Sequence, residues 1–416
     1  MFRRIGVGLV LAALTGGLCA PPAAALERRK AQFLSEPAYL YFPLPYRIPG
    51  IGEGFFVTAF GSNVADTYTD LYAVGITGDA VGAIVGVSEW HLIHERLFVD
   101  FEVDYITSAA VNQYKRRGME SRKNDFDIIE VRDVVSTYAQ ATWTLMERRL
   151  EFRAEVFDQR VDAIAVRDPQ GELIGELSPA DRFYTRNREL GVLWDDTDDR
   201  LDPRVGYRMG LDVAYSPPQA SEEPRYYVVD TALTGYIPVG RLSTLGLHLF
   251  RSDAVVVSEG DTDPASVRAD LGLFCGSPPD PVCEQSAADI VRNTVAANKY
   301  GTATPLGGLE RLRAYPDGRF QGAHTLFLSA EFRWNLTEEF TPFDYFVWKD
   351  VRTGVQVAFF TEMGSVADTV GELGRHWRSA TGVGGRLVSG SGVVYRADVA
   401  AGQEGTETSI FINYPW

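Results

Sequence analysis

An all-β fold, a transmembrane antiparallel barrel of about 16 strands, is what the sequence predicts. Three features carry this expectation. The chain opens on a secretory signal, apolar and charged residues alternate with a period of two along much of the remainder, and no later stretch is apolar enough for a membrane helix. Side chains on a strand point to opposite faces in turn. A barrel in lipid therefore needs only every second residue to be apolar, and it shows no continuous hydrophobic run.

The signal occupies residues 1–25. Arg3 and Arg4 form a positive n-region, Ile5 to Leu18 an apolar h-region, and Ala23, Ala24 and Ala25 a small-residue cleavage site. Lipidation at Cys19 is the weaker alternative, because Leu18 is bulky for the position before a lipidated cysteine. The formal net charge is −16 and becomes more negative when Arg3 and Arg4 leave, which argues against nucleic acid as a partner. Such an excess suits a charged lumen and charged outer loops. Residues 26–50 are short, rich in proline and aromatic, and too few to close a core of their own. They read as a periplasmic leader that tucks against or into the barrel, which is expected to span 51–416.

From Ile51 the alternation recurs. In Leu97 to Ile106, Val99, Phe101, Val103 and Tyr105 oppose Asp100, Glu102 and Asp104. Three carboxylates on one face fit metal binding or acid–base chemistry, or more simply the wet inner wall of a barrel. Arg148 to Val156, Tyr207 to Tyr215 and Leu245 to Leu249 repeat the scheme, as do Val355 to Glu362 and Val393 to Val399. Thr325 to Asn335 also alternates cleanly. There Leu326, Leu328, Ala330, Phe332 and Trp334 share one parity, and Ser329, Glu331 and Arg333 the other, with Phe327 the exception. The 19 Tyr, 23 Phe and 7 Trp fit aromatic girdles at the rims, although a large soluble β protein could carry as many. At roughly 22 residues per strand and connection, the chain after the leader yields about 16 strands, an even number as single-chain barrels require.

Two segments break the rhythm. Lys115 to Asp125 is a charged loop, and 251–322 is a long excursion, expected on the extracellular side, with a candidate helix at Ser286 to Ala297. This excursion holds both mature cysteines, Cys275 and Cys283. In an oxidising compartment their spacing reads as a local disulfide. Its last part, from Pro305, cannot be regular structure, because Gly307-Gly308, Pro316 and Gly318 interrupt it.

Cofactor-dependent and catalytic chemistry is not indicated. The Asp195 to Asp202 cluster lacks the sixth-position Gly and twelfth-position Glu of an EF-hand loop. His91 and His94 fall on opposite faces of a strand and lack the remaining residues of a zincin motif. No GxSxG, Walker loop or dinucleotide fingerprint is present, so neither an enzyme nor a metal or cofactor site is expected.

Four motifs, in order, resemble the barrel domain of the bacterial surface antigen family, the BamA/TamA-type proteins that insert or translocate polypeptides at the outer membrane. Trp194-Asp195-Asp196-Thr197-Asp198-Asp199-Arg200 through Pro203 and Gly206 resembles the family's Asp-Arg…Pro-x-x-Gly turn. Gly307-Gly308-x4-Arg313-Ala314-Tyr315 is similar to its Gly-Gly…Arg-Gly-aromatic loop signature. Ser329-Ala330-Glu331-Phe332-Arg333 and Phe360-Thr361-Glu362-Met363-Gly364 are similar to the two strands that follow. The resemblance implies that the loop folds into the barrel and that Arg313 meets Glu331 and Glu362 on the inner wall. Both carboxylates lie on the polar parity of their strands. Ala314 replaces the usual Gly, so its backbone must avoid positive φ or be strained, and Glu362 stands where Asp is usual. The family's N-terminal periplasmic (POTRA) domains have no counterpart in the expected leader.

At the other end, Ile410, Ile412, Tyr414 and Trp416 share one parity, resembling the terminal-strand signal by which outer-membrane barrels are themselves inserted. The resemblance implies an integral outer-membrane protein of a Gram-negative bacterium that assists insertion or translocation of protein or lipid. The partners it implies are outer-membrane lipid and an unfolded-polypeptide or lipid cargo. Two alternatives stand beside it: a plugged pore or structural surface-antigen barrel, and a subunit relying on partner periplasmic domains.

Overall fold

In the computed structural model, the described residues are 26–29, 31–33, 37–218, 223–277, 281–337, 343–345, 348–351, 353–389 and 394–416. The expected signal, residues 1–25, lies outside them. The strands in chain order are β1 (Ala38–Ile48), β2 (Gly52–Ser62), β3 (Asp70–Gly78), β4 (Val81–Ile93), β5 (Leu97–Tyr114) and β6 (Phe126–Leu145). Next come β7 (Leu150–Arg167), β8 (Leu173–Thr197), β9 (Gly206–Tyr215), β10 (Arg225–Pro238), β11 (Ser243–Ser258) and β12 (His324–Asn335). A small hairpin, β13 (Phe343–Tyr345) with β14 (Trp348–Val351), precedes β15 (Thr353–Ala367), β16 (Arg378–Ser389), β17 (Val394–Gly402) and β18 (Gly405–Ile412). Helices α1 (Pro264–Asp270) and α2 (Pro281–Tyr300) lie between β11 and β12.

All strands except β13 and β14 form one closed antiparallel barrel in which each neighbours the next, with β1 meeting β18. The wall is therefore 16-stranded, as the alternation predicted. β1 starts and β18 ends at one end of the barrel, the terminal end. The excursion between β11 and β12 lies at the other, the loop end.

The alternation sets the two faces. In β12, Thr325, Phe327, Ser329, Glu331, Arg333 and Asn335 are buried toward the lumen, while Leu328 and Trp334 are exposed outside. The outer surface is apolar around the wall. Tyr41, Phe55, Leu71, Val85, Phe101, Phe152, Leu190, Leu233, Leu247, Phe359, Leu387 and Val399 are all exposed on it. The dry core is inside, where Leu306, Leu312, Tyr315 and Phe320 of the loop pack on inward-facing Phe250, Phe327 and Phe360. Phe327 breaks the parity pattern in sequence because it faces this apolar loop rather than water.

The structure corrects three boundaries. First, the barrel begins at Ala38, so the leader is confined to the residues before it. β1 pairs with β2 from Ala38↔Ser62 to Ile48↔Gly52. Pro43 and Pro45 disguise the strand, since proline lacks the ladder N–H and is confined to edges. Second, β11 runs on to Ser258, so the long loop starts there rather than at residue 251. Buried Ser252 and Ala254 continue to alternate with exposed Val255 and Val257. Third, β18 stops at Ile412. Asn413 takes φ +79 and turns the last residues into the lumen, so Tyr414 and Trp416 do not continue the outer face. Trp416 stacks on inward-facing His248, with ring centroids 4.9 Å apart and planes at 7°.

Candidate functional site

The loop reaches its place in the lumen through backbone constraints. Gly307 has φ +110, and a Cβ there would sit 2.1 Å from the Pro316 carbonyl oxygen. Gly308, at φ +99, donates its N–H to Tyr315 O (2.9 Å). Only glycine accepts such geometry without strain. Leu312 carries the positive φ of the following turn, at +54, and Ala314 is free of it. The departure at residue 314 is therefore accommodated.

This turn presents Arg313 to three inner-wall carboxylates. Its Nε donates to Glu362 Oε1 (2.7 Å), Nη1 to Asp398 Oδ2 (2.8 Å) and Nη2 to Glu331 Oε2 (3.1 Å). Its main-chain N–H donates to Glu362 Oε2 (2.8 Å). The guanidinium lies 3.4 Å from the Phe360 ring centroid. Arg313 and its three partners are almost wholly excluded from solvent, where a planar fork of donors is worth more than a point charge.

The wall carboxylates are themselves held. Arg386 forks onto both oxygens of Glu331 (2.6 and 2.5 Å), Arg333 donates to Glu331 Oε1 (2.8 Å), and Arg396 donates to Asp398 Oδ2 (2.9 Å). Arg396 also reaches the Leu309 carbonyl (2.7 Å), tying a second point of the loop to the wall. Tyr315, the aromatic of the motif, has its hydroxyl beside Gln403 and 3.2 Å from Ser379 O. Arg319 pairs with Glu404 through two hydrogen bonds (2.9 and 2.7 Å) and with Ser121. The arrangement fastens a loop inside a cylinder.

The structure thus brings together Gly307, Gly308, Arg313, Tyr315, Glu331 and Glu362, all named from the sequence. Asp398, Arg386, Arg396 and the Arg319–Glu404 pair were missed as partners. The one signal for Asp398, Arg386 and Arg396 was charge on the inward parity of the last strands, which does not say which residues meet across the lumen, and Arg319 and Glu404 lie outside the strands.

The family-like turn is at the terminal end and is linked to the latch through Tyr414, over whose ring the Arg333 guanidinium lies at 4.2 Å. Asp198 Oδ1 accepts the N–H groups of Arg204 (2.8 Å) and Val205 (2.9 Å), shaping the turn that Pro203 rigidifies. Gly206 has φ +110, and a Cβ there would meet Asp196 O at 2.1 Å. Arg200 crosses to Glu151 (2.9 Å) on β7. The Asp195 to Asp202 carboxylates are occupied by arginines and by Tyr414, whose hydroxyl donates to Asp202 Oδ1 (2.7 Å). Burial pushes the Asp202 carboxyl up, but the Tyr414 hydroxyl and Arg204, Arg333 and Arg29 more than reverse this and hold it below the usual carboxylate range. His91 packs edge-on against Phe33 and near His94, with no group of metal-ligating residues among the described residues. Cys275 and Cys283 are disulfide-bonded where α2 begins.

The seam is thin. β1 and β18 share one register pair, Arg47↔Ile410. Extending that register sets Pro45 opposite Ile412 and Pro43 opposite Tyr414. The Pro45 carbonyl accepts from Tyr395 Oη (2.9 Å) across the seam. Groups of this parity therefore face β18, and the two prolines offer it no N–H. The ladder stops where the donors stop.

No protein-family model matches the sequence, and no curated protein sequence matches it. Among solved structures, the chain is similar to CdiB from Escherichia coli, with a TM-score of 0.51 at 11% identity over 92% of this chain and 68% of that one. It is also similar to BamA from Haemophilus ducreyi lacking POTRA domains 1–3, with a TM-score of 0.49 at 11% identity over 92% of this chain and 76% of that one. Identity this low speaks to architecture alone: the chain folds as a closed 16-stranded antiparallel barrel of the kind seen in CdiB.

Proposed function

We propose that this chain is an integral outer-membrane barrel of the BamA/TamA type that assists insertion or translocation of polypeptide or lipid through the β1–β18 seam. The apolar outer belt supports residence in lipid, since monomeric soluble proteins rarely expose so large an apolar surface. The observation that carries the functional reading is the seam, where a single residue pair closes the cylinder and two prolines face the gap. Strands elsewhere pair along most of their length, so lateral opening is least opposed here. The latched loop braces β12, β15 and β17 through Glu331, Glu362 and Asp398, leaving the seam as the part free to part.

The test is a disulfide across the seam. Cα partners in antiparallel strands lie about 4.5–5.5 Å apart, within disulfide range. An Arg47→Cys/Ile410→Cys variant, oxidised, is expected to fail in restoring the outer-membrane proteome and lipid asymmetry of a deletion strain, and to recover on reduction. Full complementation by the oxidised form would refute lateral opening. The dry core formed by Leu306, Leu312, Tyr315 and Phe320 favours a second reading, a plugged pore. Planar-bilayer recording separates the two: a pore stays measurably conducting, whereas a seam-gated barrel with its loop latched is largely shut.

A further inference from the structure

The mouth at the terminal end contains a built site that neither the latch nor the seam uses. Residues 26–29 and 31–33 lie across it beside the β6–β7 and β8–β9 turns. Arg29 donates Nε to Asp198 Oδ2 (2.6 Å) and Nη2 to Asp202 O (2.5 Å) and Asp199 Oδ2 (3.3 Å), and its main-chain N–H bonds Asp198 O (2.6 Å). Arg28 donates to Asp195 O (2.9 Å), and the Leu26 N–H lies 3.4 Å from Asp196 Oδ1. Phe33 is buried in a pocket of His91, Phe98 and Tyr68, with the Arg148 guanidinium 4.7 Å over its ring. Arg148 also donates to the Gln32 carbonyl (3.1 Å).

These contacts read main chain, charge and one aromatic, as a peptide receptor does. The recognised pattern is two consecutive arginines followed, four residues after the second, by an aromatic ring. None of it is needed to close the barrel, which begins at Ala38. We propose that this mouth is a binding site for extended basic–aromatic peptide segments, that residues 26–29 and 31–33 are its resident occupant, and that a polypeptide partner carrying the same chemistry binds by displacing them. The strap is then an intramolecular competitor, held at high effective concentration by its short connection to β1. This goes beyond the seam reading and does not depend on it, because it concerns which segment must leave the mouth and not where cargo exits.

The experiment uses the full processed chain in detergent micelles and a C-terminally labelled peptide, Leu-Glu-Arg-Arg-Lys-Ala-Gln-Phe, followed by fluorescence anisotropy. A strap variant, Arg28→Ala/Arg29→Ala/Phe33→Ala, is expected to bind the peptide about tenfold or more tightly than wild type, with affinity falling as salt rises. Adding Asp198→Asn and Asp199→Asn to that variant should abolish the gain. Heat-modifiable migration in gels reports the barrel fold of each protein separately. Arg29→Ala alone, which leaves Phe33 seated, should give an intermediate gain and serves if the triple variant does not fold. Equal binding by wild type and strap variants, or binding indifferent to the turn carboxylates, would overturn the proposal.

Discussion

Arg313→Ala probes the latch at its centre, and the structure sets the size of the effect. The substitution removes three side-chain hydrogen bonds to three carboxylates, but the carboxylates do not suffer equally. Glu331 retains the Arg386 fork and Arg333, and Asp398 retains Arg396. Among the described residues, Glu362 retains only the main-chain N–H of residue 313. The lesion is therefore one buried carboxylate stripped of its cation, for which about 3–5 kcal/mol is expected, plus about 1 kcal/mol from the guanidinium stacked on Phe360. Glu362→Gln in the same chain removes the stranded charge and should recover at least half of the loss. Arg313→Lys keeps the charge but offers one point of donors to three separated acceptors, so it should fall between the two. Urea unfolding of the protein folded in lipid vesicles, followed by tryptophan fluorescence, measures all three. A loss below about 1 kcal/mol for Arg313→Ala, or a further loss on adding Glu362→Gln, would refute the view that the latch is an ion network centred on this guanidinium.

Four further outcomes follow from the geometry. Gly307→Ala places a Cβ against Pro316 O at a positive φ, so it should destabilise by about 1–3 kcal/mol in the same unfolding assay and make the loop more susceptible to protease. The Asp202 carboxyl lies below its ordinary value in the folded state, so it contributes stability above the unfolded pKa of about 4 and loses that contribution as pH falls through the lower folded value. Asp202→Asn should therefore flatten the stability–pH curve in that acid range and leave its shape above pH 5 unchanged. Pro45→Val restores a donor facing Ile412 and should slow hydrogen exchange along β18, whereas unchanged exchange would show that the seam is thin for another reason. Reducing Cys275–Cys283, which closes a loop of sequence separation 8, should speed exchange in α1 and α2 while leaving the barrel's unfolding free energy within about 0.5 kcal/mol.

Much of this molecule was legible in its residues because strand periodicity is local. Leu326, Leu328 and Phe332 against Ser329, Glu331 and Arg333 announce a two-faced wall wherever they are placed. Gly307 and Gly308 likewise announce a turn that other residues resist, and Cys275 and Cys283 are close enough in the chain to find each other. The resemblance to the BamA/TamA-type barrels implied Glu331 and Glu362 as partners for Arg313, and their polar parity agreed with it. What the chain could not disclose is which distant residues meet. Asp398 lies 85 positions from Arg313, and only closure of the cylinder sets it opposite. Pro43 and Pro45 concealed β1 because proline is unfavourable inside a sheet, and only the seam gives them an edge where the missing N–H has no partner to disappoint. Tyr414 and Trp416 keep the parity of Ile410 and Ile412 on paper, yet one positive φ at Asn413 sends them inward to Asp202 and His248. Periodicity is a property of neighbours along the chain and is written there. Enclosure, charge pairing across the lumen and the fate of the two termini depend on neighbours in space, and only the folded barrel supplies those.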